Sequence, residues 1–283
     1  MANVDASPER YYLPEPSSWP ITGSVAMGLL GFGAAFTVNS MTAGYILLAL
    51  GFAVLIYMMF GWFGTVVRES EGGKYNKRVD VSFRWGMSWF IFSEVMFFGV
   101  FFGTLYYMRV LSVPWLGEVD QKLLWPEFAP GWPIAGPGIA EKFTPMGAWG
   151  IPALNTLILL TSGVTITLAH WALKKDNRGA LVGWMMATVA LGLTFLGFQI
   201  YEYGHAYSDL NLKLTSGAYG ATFFMLTGFH GFHVTVGTIM LIVITIRCMK
   251  GHFTPEHHFG FEGVAWYWHF VDVVWLFLFI FVY

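Results

Sequence analysis

The chain has 283 residues, of which 56% are hydrophobic and 11% are charged, whereas about 25% of the residues in an ordinary soluble domain carry a charge. Its 15 basic and 17 acidic residues give a net charge of −2, and its mean hydropathy is +0.57. These values exclude a disordered chain, argue against a soluble one, and leave no basic excess to neutralise nucleic-acid phosphates. A single cysteine, Cys248, excludes an intrachain disulfide and a thiolate zinc site. The composition indicates an all-α integral membrane protein.

Long intervals without charged residues predict seven membrane-spanning helices, because one span needs about 20 mostly apolar residues. A turn-like segment at 39–44 divides the first interval into two helices. Glu94 is a charged residue within the third span, and Asp272 lies within the seventh. In chain order, the predicted spans lie at 21–38, 45–67, 84–109, 152–173, 178–202, within 213–247, and at 264–283.

The spans predict a domain organisation in four parts: an N-terminal segment 1–20, a two-helix bundle 21–67, a charged loop 68–84 and a five-helix bundle 85–283. The 111–147 loop, rich in Pro and Gly, is predicted to form an ordered cap on the outer face. Eleven Lys and Arg residues fall on the side of the N-terminus and four on the opposite side. The positive-inside rule therefore predicts a cytoplasmic N-terminus and a C-terminus on the outer face.

Glu94 lies near the middle of the third span, where its same-face neighbours are Phe90, Ile91, Phe97 and Phe98. None of these can pair with a carboxylate. A carboxyl group at that depth should be protonated or should meet a partner from another helix. Two interpretations stay open, a neutral acid hydrogen-bonded between helices and a proton-linked or lipid-facing site.

Two pairs of an acidic residue and a histidine have a spacing of three residues, one near the end of the fifth span and one within the seventh. Glu202 and His205 match one half of a Glu-x-x-His di-iron motif, but the sequence has no second half. A satisfied pair at a helix interface is the favoured interpretation. His269 and Asp272 share a face of the seventh span, which predicts mutual neutralisation inside the bundle.

Histidines are also concentrated in and after the sixth span, at His230, His233, His252, His257 and His258. Imidazole groups suit iron or copper, and histidine-rich membrane oxygenases bind two irons through such clusters. Here the clusters are few and lie at different depths. Buried, hydrogen-bonded histidines are the default interpretation, and a metal site is the alternative.

Basic residues mark the predicted cytoplasmic ends of the second and sixth spans, at Arg68, Arg247, Lys250 and His252, and Trp62 lies one to two turns inside. Basic side chains beside an interfacial Trp can hold anionic lipid headgroups. The alternative is that these basic residues only follow the positive-inside rule and bind no particular lipid.

Four stretches resemble subunit III of cytochrome c oxidase. They are Val-Val-Arg-Glu-Ser at 66–70, Ser-Glu-Val-Met-Phe-Phe at 93–98, Leu-Thr-Gly-Phe-His-Gly-Phe-His-Val at 226–234, and 247–275, which includes His-Phe-Gly-Phe-Glu and Trp-Tyr-Trp-His-Phe-Val-Asp-Val-Val-Trp. The resemblance runs from about Ser18 to the C-terminus, and the last stretch is long and rich in Trp.

The resemblance implies a non-redox accessory subunit of an aa3-type haem–copper oxidase, which passes electrons from cytochrome c to O₂ and pumps protons. In that family the subunit binds subunit I and carries no haem and no copper. For this chain the resemblance implies contacts with subunit II and any small subunits and no catalytic centre. Haem a and copper are expected in the partner subunits. A cleft that holds phospholipids separates helices one and two from helices three to seven. The implied role is to support proton uptake and active-site stability in subunit I.

The resemblance also assigns site residues. Glu94 matches an intramembrane glutamate that reacts with hydrophobic carbodiimides, and no residue is expected to be catalytic or to bind metal. The implied lipid-binding residues are Trp62, Arg68, Glu69, His230, His233, Arg247, Lys250 and His252.

Departures from the mitochondrial pattern at Phe60, Phe63, the 74–78 loop and the long 111–147 loop favour a bacterial member in the inner membrane. The alternative functions are a stand-alone His-cluster di-iron oxygenase and a transporter that uses Glu94 as a proton relay.

Overall fold

The computed structural model describes residues 11–118, 120–139 and 141–283, and these residues form helices and connecting segments without strands. Among these described residues, seven helices are long and apolar enough to cross a membrane, which confirms the predicted all-α fold with seven spans. They are α1 (Trp19–Val38), α2 (Ala43–Glu71), α3 (Lys77–Tyr106), α4 (Ile151–Lys174), α5 (Arg178–Ser208), α6 (Gly217–Lys250) and α7 (Phe259–Phe281). A π-helical turn, Tyr107–Ser112, and a short turn, Val113–Trp115, prolong α3.

Several helices are longer than the apolar stretches predicted from charge-free intervals. Helix α2 continues to Glu71, α3 begins at Lys77 and α5 continues to Ser208. Polar and charged residues retain good helix propensity in solvated end turns, so a helix does not stop where its apolar stretch stops. Charge spacing therefore located the spans but placed their ends too far inside.

The chain divides into two compact units, the first ending at Phe83 and the second beginning at Arg84. Within the first unit, α1 and α2 approach closely at glycines. A Cβ atom on Gly33 would lie 2.7 Å from the backbone nitrogen of Leu48, and one on Gly51 would lie 2.9 Å from the backbone nitrogen of Leu30. Small residues let helix backbones come together in a membrane, where packing replaces the hydrophobic effect.

The core of the second unit surrounds two tryptophans of α7. Trp268 and Trp275 are fully buried, and their indole N–H groups donate to Ser162 Oγ and Thr156 Oγ1 of α4, each at 2.9 Å. A Cβ atom on Gly237 of α6 would lie 3.0 Å from the Trp268 ring, so this glycine makes room for the indole. Large rings with satisfied donors thus hold α4, α6 and α7 together.

Helix α3 joins the second unit mainly through phenylalanine side chains. The Phe97 ring lies 5.1 Å from that of Phe229 in α6, and the Phe98 and Phe102 rings lie 6.1 Å from Phe270 and Phe277 of α7, respectively. These edge-on and tilted ring pairs keep the backbone of α3 at a distance from its neighbours.

The segment between α3 and α4 packs on the start of α6. The carbonyl groups of Ile134 and Ala135 accept hydrogen bonds from the backbone nitrogens of Tyr219 and Ala218 at 3.1 and 2.7 Å. The Phe143 ring stacks on Tyr219 at 5.5 Å. The long connection is therefore attached to the helical bundle by its own backbone, and its first part is helical as far as Trp115.

Candidate functional site

Glu94 meets a partner from another helix, one of the two outcomes predicted for it. Its Oε2 atom lies 3.0 Å from Nε2 of His233, and the two side chains are 21% and 8% exposed. His233 Nδ1 lies 2.6 Å from the carbonyl oxygen of Phe229, one turn earlier in α6. A carboxyl group of α3 and an imidazole of α6 thus form an interhelical bridge in the second unit.

The hydrogen-bond pattern limits the proton arrangement in this bridge. A carbonyl oxygen only accepts, so Nδ1 of His233 carries a proton and donates it to Phe229. One further proton then lies between Nε2 and the Glu94 carboxyl group. The pair is either a carboxylic acid donating to a neutral imidazole or a carboxylate accepting from an imidazolium, and both forms have zero net charge. Zero net charge is what a site at this depth requires.

Aromatic rings surround the bridge. The Phe98 ring packs edge-on to His233 at 5.0 Å, and the Tyr267 ring is stacked on it at 6.4 Å. Tyr267 also donates its hydroxyl to the His233 carbonyl oxygen at 3.4 Å. The rings hold the imidazole in one orientation, with Nδ1 towards the Phe229 carbonyl oxygen and Nε2 towards the Glu94 carboxyl group.

His230 and His233 do not act together, although three residues separate them. His230 is fully buried, and its Nε2 donates to the Val271 carbonyl oxygen of α7 at 3.0 Å. Its ring lies 5.0 Å from that of Trp275, within the core rather than beside α3. The two histidines therefore contact different helices. This arrangement matches the default interpretation of buried, hydrogen-bonded residues and gives no support to a shared iron site.

Glu202 and His205 are not paired, so that prediction is wrong. The Tyr283 hydroxyl donates to Glu202 Oε1 at 2.5 Å, whereas Nδ1 of His205 lies 2.6 Å from Asp209 Oδ2. The hydrogen bond with His205 holds the pKa of the exposed Asp209 carboxyl below its usual value. Burial, reinforced by the adjacent Glu202, raises the pKa of the Tyr283 hydroxyl well above its usual value. A spacing of three places residues on one helix face without making them partners.

His269 and Asp272 both face Gly163 of α4 but do not bond to each other. His269 Nε2 lies 3.3 Å from the Thr167 hydroxyl, and Asp272 Oδ1 has no hydrogen-bond partner. The predicted mutual neutralisation is therefore not made as a direct contact.

The predicted lipid residues of the first unit lie at the end of α2. Arg68 donates to the Thr65 hydroxyl at 3.0 Å, and Trp62 is 40% exposed. Glu69 accepts hydrogen bonds from the Tyr12 and Tyr75 hydroxyls at 3.1 and 2.8 Å. Burial and the Glu69 carboxylate raise the pKa of Tyr75. Glu69 therefore ties the neighbouring chain segments to the helix end.

The corresponding residues of the second unit lie where α6 ends. Lys250 is exposed, and the half-buried Arg247 guanidinium stacks on the Phe253 ring at 4.5 Å. Arg178, at the start of α5, donates to the Gly251 carbonyl oxygen at 3.4 Å. Gly251 has a left-handed backbone (φ +78°), which closes α6 and turns the chain towards His252. The negative end of the helix dipole stabilises these positively charged side chains.

An apolar groove of about 590 Å³ runs along α3 and α7. Val95, Phe98 and Gly99 line one end and Arg109 lies at the other. Arg109 is thus the charged lining residue and lies next to the helix end, whereas mostly apolar side chains line the rest of the groove.

Sequence reasoning missed one cluster. His170 of α4, His258 before α7 and Glu262 in the first turn of α7 place one ligand atom each within 4.8 Å of one another, the one such group of three among the described residues. The two imidazole Nε2 atoms are 3.2 Å apart. The spacing of His258 and Glu262, four residues apart at a helix start, was a visible signal. His170 had no motif around it.

Seven apolar helices, with a carboxyl–imidazole bridge and buried tryptophans between them, define a multi-pass membrane protein. A family model described as "Cytochrome c oxidase subunit III" matches residues 9–283. Curated proteins called "Cytochrome c oxidase subunit 3" are 43% identical in Marchantia polymorpha over 274 residues (96% of this chain, 95% of the relative), 41% in Triticum aestivum over 281 residues (99% and 98%) and 42% in Latimeria chalumnae over 276 residues (96% and 96%).

The chain belongs to the cytochrome c oxidase subunit III family. It is an accessory subunit of this oxidoreductase complex, as the sequence motifs predicted.

Proposed function

We propose that this chain binds subunit I of the oxidase, meets subunit II and any small subunits, and carries structural phospholipids. Haem a and copper lie in the partner subunits, and this chain supports proton uptake and active-site stability. The proposed binding of phospholipids rests on the apolar groove along α3 and α7, which has Arg109 at one end. A phospholipid matches this division into an apolar length and a cationic end.

The dimensions of the groove support an acyl chain as its occupant. From Val95 to Val110 the helix rises by about 20 Å. Half of a hydrocarbon core is about 15 Å thick, so one acyl chain of one leaflet can lie along the groove. The Arg109 guanidinium then sits at the level of the phosphate, where Arg forms bidentate hydrogen bonds.

Gly99→Leu tests this proposal because it fills the groove without a clash. A Cβ atom on Gly99 has no neighbour within 4 Å, and the same holds for Gly103, which does not line the groove and serves as the control in Gly103→Leu. Mass spectrometry of the purified oxidase should show less bound phospholipid in Gly99→Leu only. If lipid is unchanged and subunit I dissociates instead, the groove is a protein interface and the lipid assignment fails.

A second lipid site is proposed at the cations near the end of α6, with Arg247, Lys250 and His252 as headgroup ligands. Their position at a helix end with apolar surface above it supports this assignment. Replacing Arg247 with Gln should reduce the bound phospholipid, whereas Lys122→Gln in the α3–α4 connection should not. Equal lipid content in the two variants would remove the assignment. Trp62, Arg68 and Glu69 are proposed as lipid residues of the first unit on the same grounds.

The bridge between Glu94 and His233 is proposed to hold α3 to the bundle rather than to conduct protons. Both of its proton arrangements give His233 Nε2 and Glu94 Oε2 a hydrogen-bond partner and leave the pair with no net charge. A carbodiimide-reactive acid in this position needs only the protonated form to be populated.

We also propose a bacterial inner membrane, with the N-terminus in the cytoplasm and the C-terminus in the periplasm. The distribution of Lys and Arg, and the departures at Phe60 and Phe63 from the mitochondrial pattern, support this placement. A periplasm-specific reporter fused after Tyr283 should be active, and one inserted at Gly73 should be inactive. The reverse pattern would refute the orientation.

A further inference from the structure

We propose that His170, His258 and Glu262 form a binding site for a divalent transition metal, and that Zn²⁺ is the ion whose coordination geometry they match. The three residues come from the end of α4 and the beginning of α7, so the site lies at an end of the helical bundle. His170 and Glu262 are half-buried, and His258 is 8% exposed. The ligand set of two imidazoles and one carboxylate is one that zinc accepts.

The two imidazoles have the spacing of ligands on one tetrahedral ion. Zinc bonds to imidazole nitrogen at about 2.0–2.1 Å, which places two such nitrogens about 3.3 Å apart. The Nε2 atoms of His170 and His258 are 3.2 Å apart. Their ring centroids are 5.3 Å apart, and two imidazoles on a tetrahedral ion give roughly 5.2 Å.

The tautomer of His258 is set for coordination through Nε2. Its Nδ1 lies 3.1 Å from the Thr254 carbonyl oxygen, so Nδ1 carries the proton and Nε2 presents a lone pair to His170. A ring nitrogen that donates to a backbone carbonyl is the usual second contact of a metal-bound histidine. Without an ion, the proton on His170 Nε2 would serve as the link between the two rings.

The carboxylate is oriented by Arg84. Nη2 and Nε of Arg84 both donate to Glu262 Oε2, at 2.7 and 3.0 Å, so Oε1 can turn towards the imidazoles. Glu262 lies in the first turn of α7, four residues after His258, which immediately precedes the helix. The nearby guanidinium repels a cation and lowers its affinity, so binding should be reversible by a chelator. Water can supply the fourth ligand, as it does in open zinc sites.

The competing interpretation is a histidine pair that shares one proton and binds no ion. The test uses the whole purified oxidase, first treated with a chelator and then equilibrated with Zn²⁺ and desalted. Metal analysis should show one zinc per complex more for the wild type than for His170→Asn and for Glu262→Gln. His257→Asn is the matched control, since His257 is exposed, adjacent to His258 and outside the cluster. The control should retain the wild-type zinc content.

Equal zinc in the wild type, His170→Asn and the control would overturn the proposal and leave the proton-sharing pair. A second measurement on the wild type covers the case in which His170→Asn fails to assemble. The cobalt-substituted wild type should give the visible absorption of a four-coordinate Co²⁺ ion, lost on chelation. A difference spectrum of the wild type, taken before and after chelation, that shows six-coordinate Co²⁺ only or no cobalt absorption would also overturn it.

Discussion

Glu94 of α3 and His233 of α6 are 139 positions apart in the chain, yet their side chains meet at 3.0 Å. The pair carries no net charge in either proton arrangement, and aromatic rings fix the imidazole. This single contact explains how a carboxyl group can lie near the middle of a span.

Replacing Glu94 should separate its structural role from proton transfer. In Glu94→Gln the amide can donate to Nε2 of His233, so we expect oxidase turnover close to that of the wild type and no carbodiimide labelling. In Glu94→Ala the imidazole nitrogen has no partner. A lost interhelical hydrogen bond in a membrane costs about 0.6–2 kcal/mol, so this variant should denature at a lower temperature. Thermal denaturation and turnover of the purified oxidase measure both effects, and complete loss of turnover in Glu94→Gln would favour a proton relay.

Two glycines of α1 provide a matched test of helix packing in the first unit. A Cβ atom on Gly33 would lie 2.7 Å from the Leu48 backbone, whereas one on Gly28 has no neighbour within 4 Å. Gly33→Ala should therefore destabilise the contact between α1 and α2, by about 1–3 kcal/mol. Gly28→Ala should be neutral or slightly stabilising, because Ala favours a helix more than Gly does. Protease sensitivity of the α1–α2 connection reports the difference, and equal sensitivity would contradict the helix contact.

Removing the hydroxyl in Tyr283→Phe should weaken the attachment of α5 to the chain end. Glu202 is 1% exposed, and the Tyr283 hydroxyl is the hydrogen-bond donor to its Oε1. Leaving that carboxyl oxygen without a donor costs about 1–3 kcal/mol, while the phenyl ring still packs on Phe223 and Trp275. Tyr201→Phe, at a position 64% exposed, is the control. The denaturation temperature should fall in Tyr283→Phe only, and an equal value in both variants would show that the bond contributes nothing.

The indole of Trp275 should be among the most sensitive positions in the core. In Trp275→Phe, the Thr156 hydroxyl oxygen no longer accepts a hydrogen bond from an indole N–H group, and a cavity opens beside His230. Together these effects should cost about 2–4 kcal/mol. Trp149→Phe changes a residue that is 87% exposed and should cost almost nothing. The amount of this chain retained in the purified oxidase after mild heating measures the loss, and equal retention in both variants would be the contrary result.

The spans could be predicted from the sequence because charges are scarce and each apolar interval fits one or two helices. The contacts of the polar residues could not. Nothing near Glu94 in the sequence indicates His233 as its partner, since His233 belongs to a helix much further along the chain. The spacing of Glu202 and His205 suggested a pair, but each side chain found another group. Local periodicity gives helix faces, whereas helix packing decides which faces meet.

The missed cluster has the same origin. His258 and Glu262 are visible as a spacing of four at a helix start, but His170 stands alone in α4 and lies 88 positions away from His258. A site built from the ends of α4 and α7 becomes visible once those two helices are known to be neighbours.

The long separation of Glu94 and His233 also sets an order of events during biosynthesis. At roughly 5–20 residues per second, the ribosome needs on the order of 10 s to make the 139 residues between them. During that interval Glu94 has been made and His233 has not. Glu94 is therefore made, and can enter the lipid, before its imidazole partner exists. The interhelical bridge can form only after α6 has been made, so the attachment of α3 to the bundle through this contact is a late step of assembly.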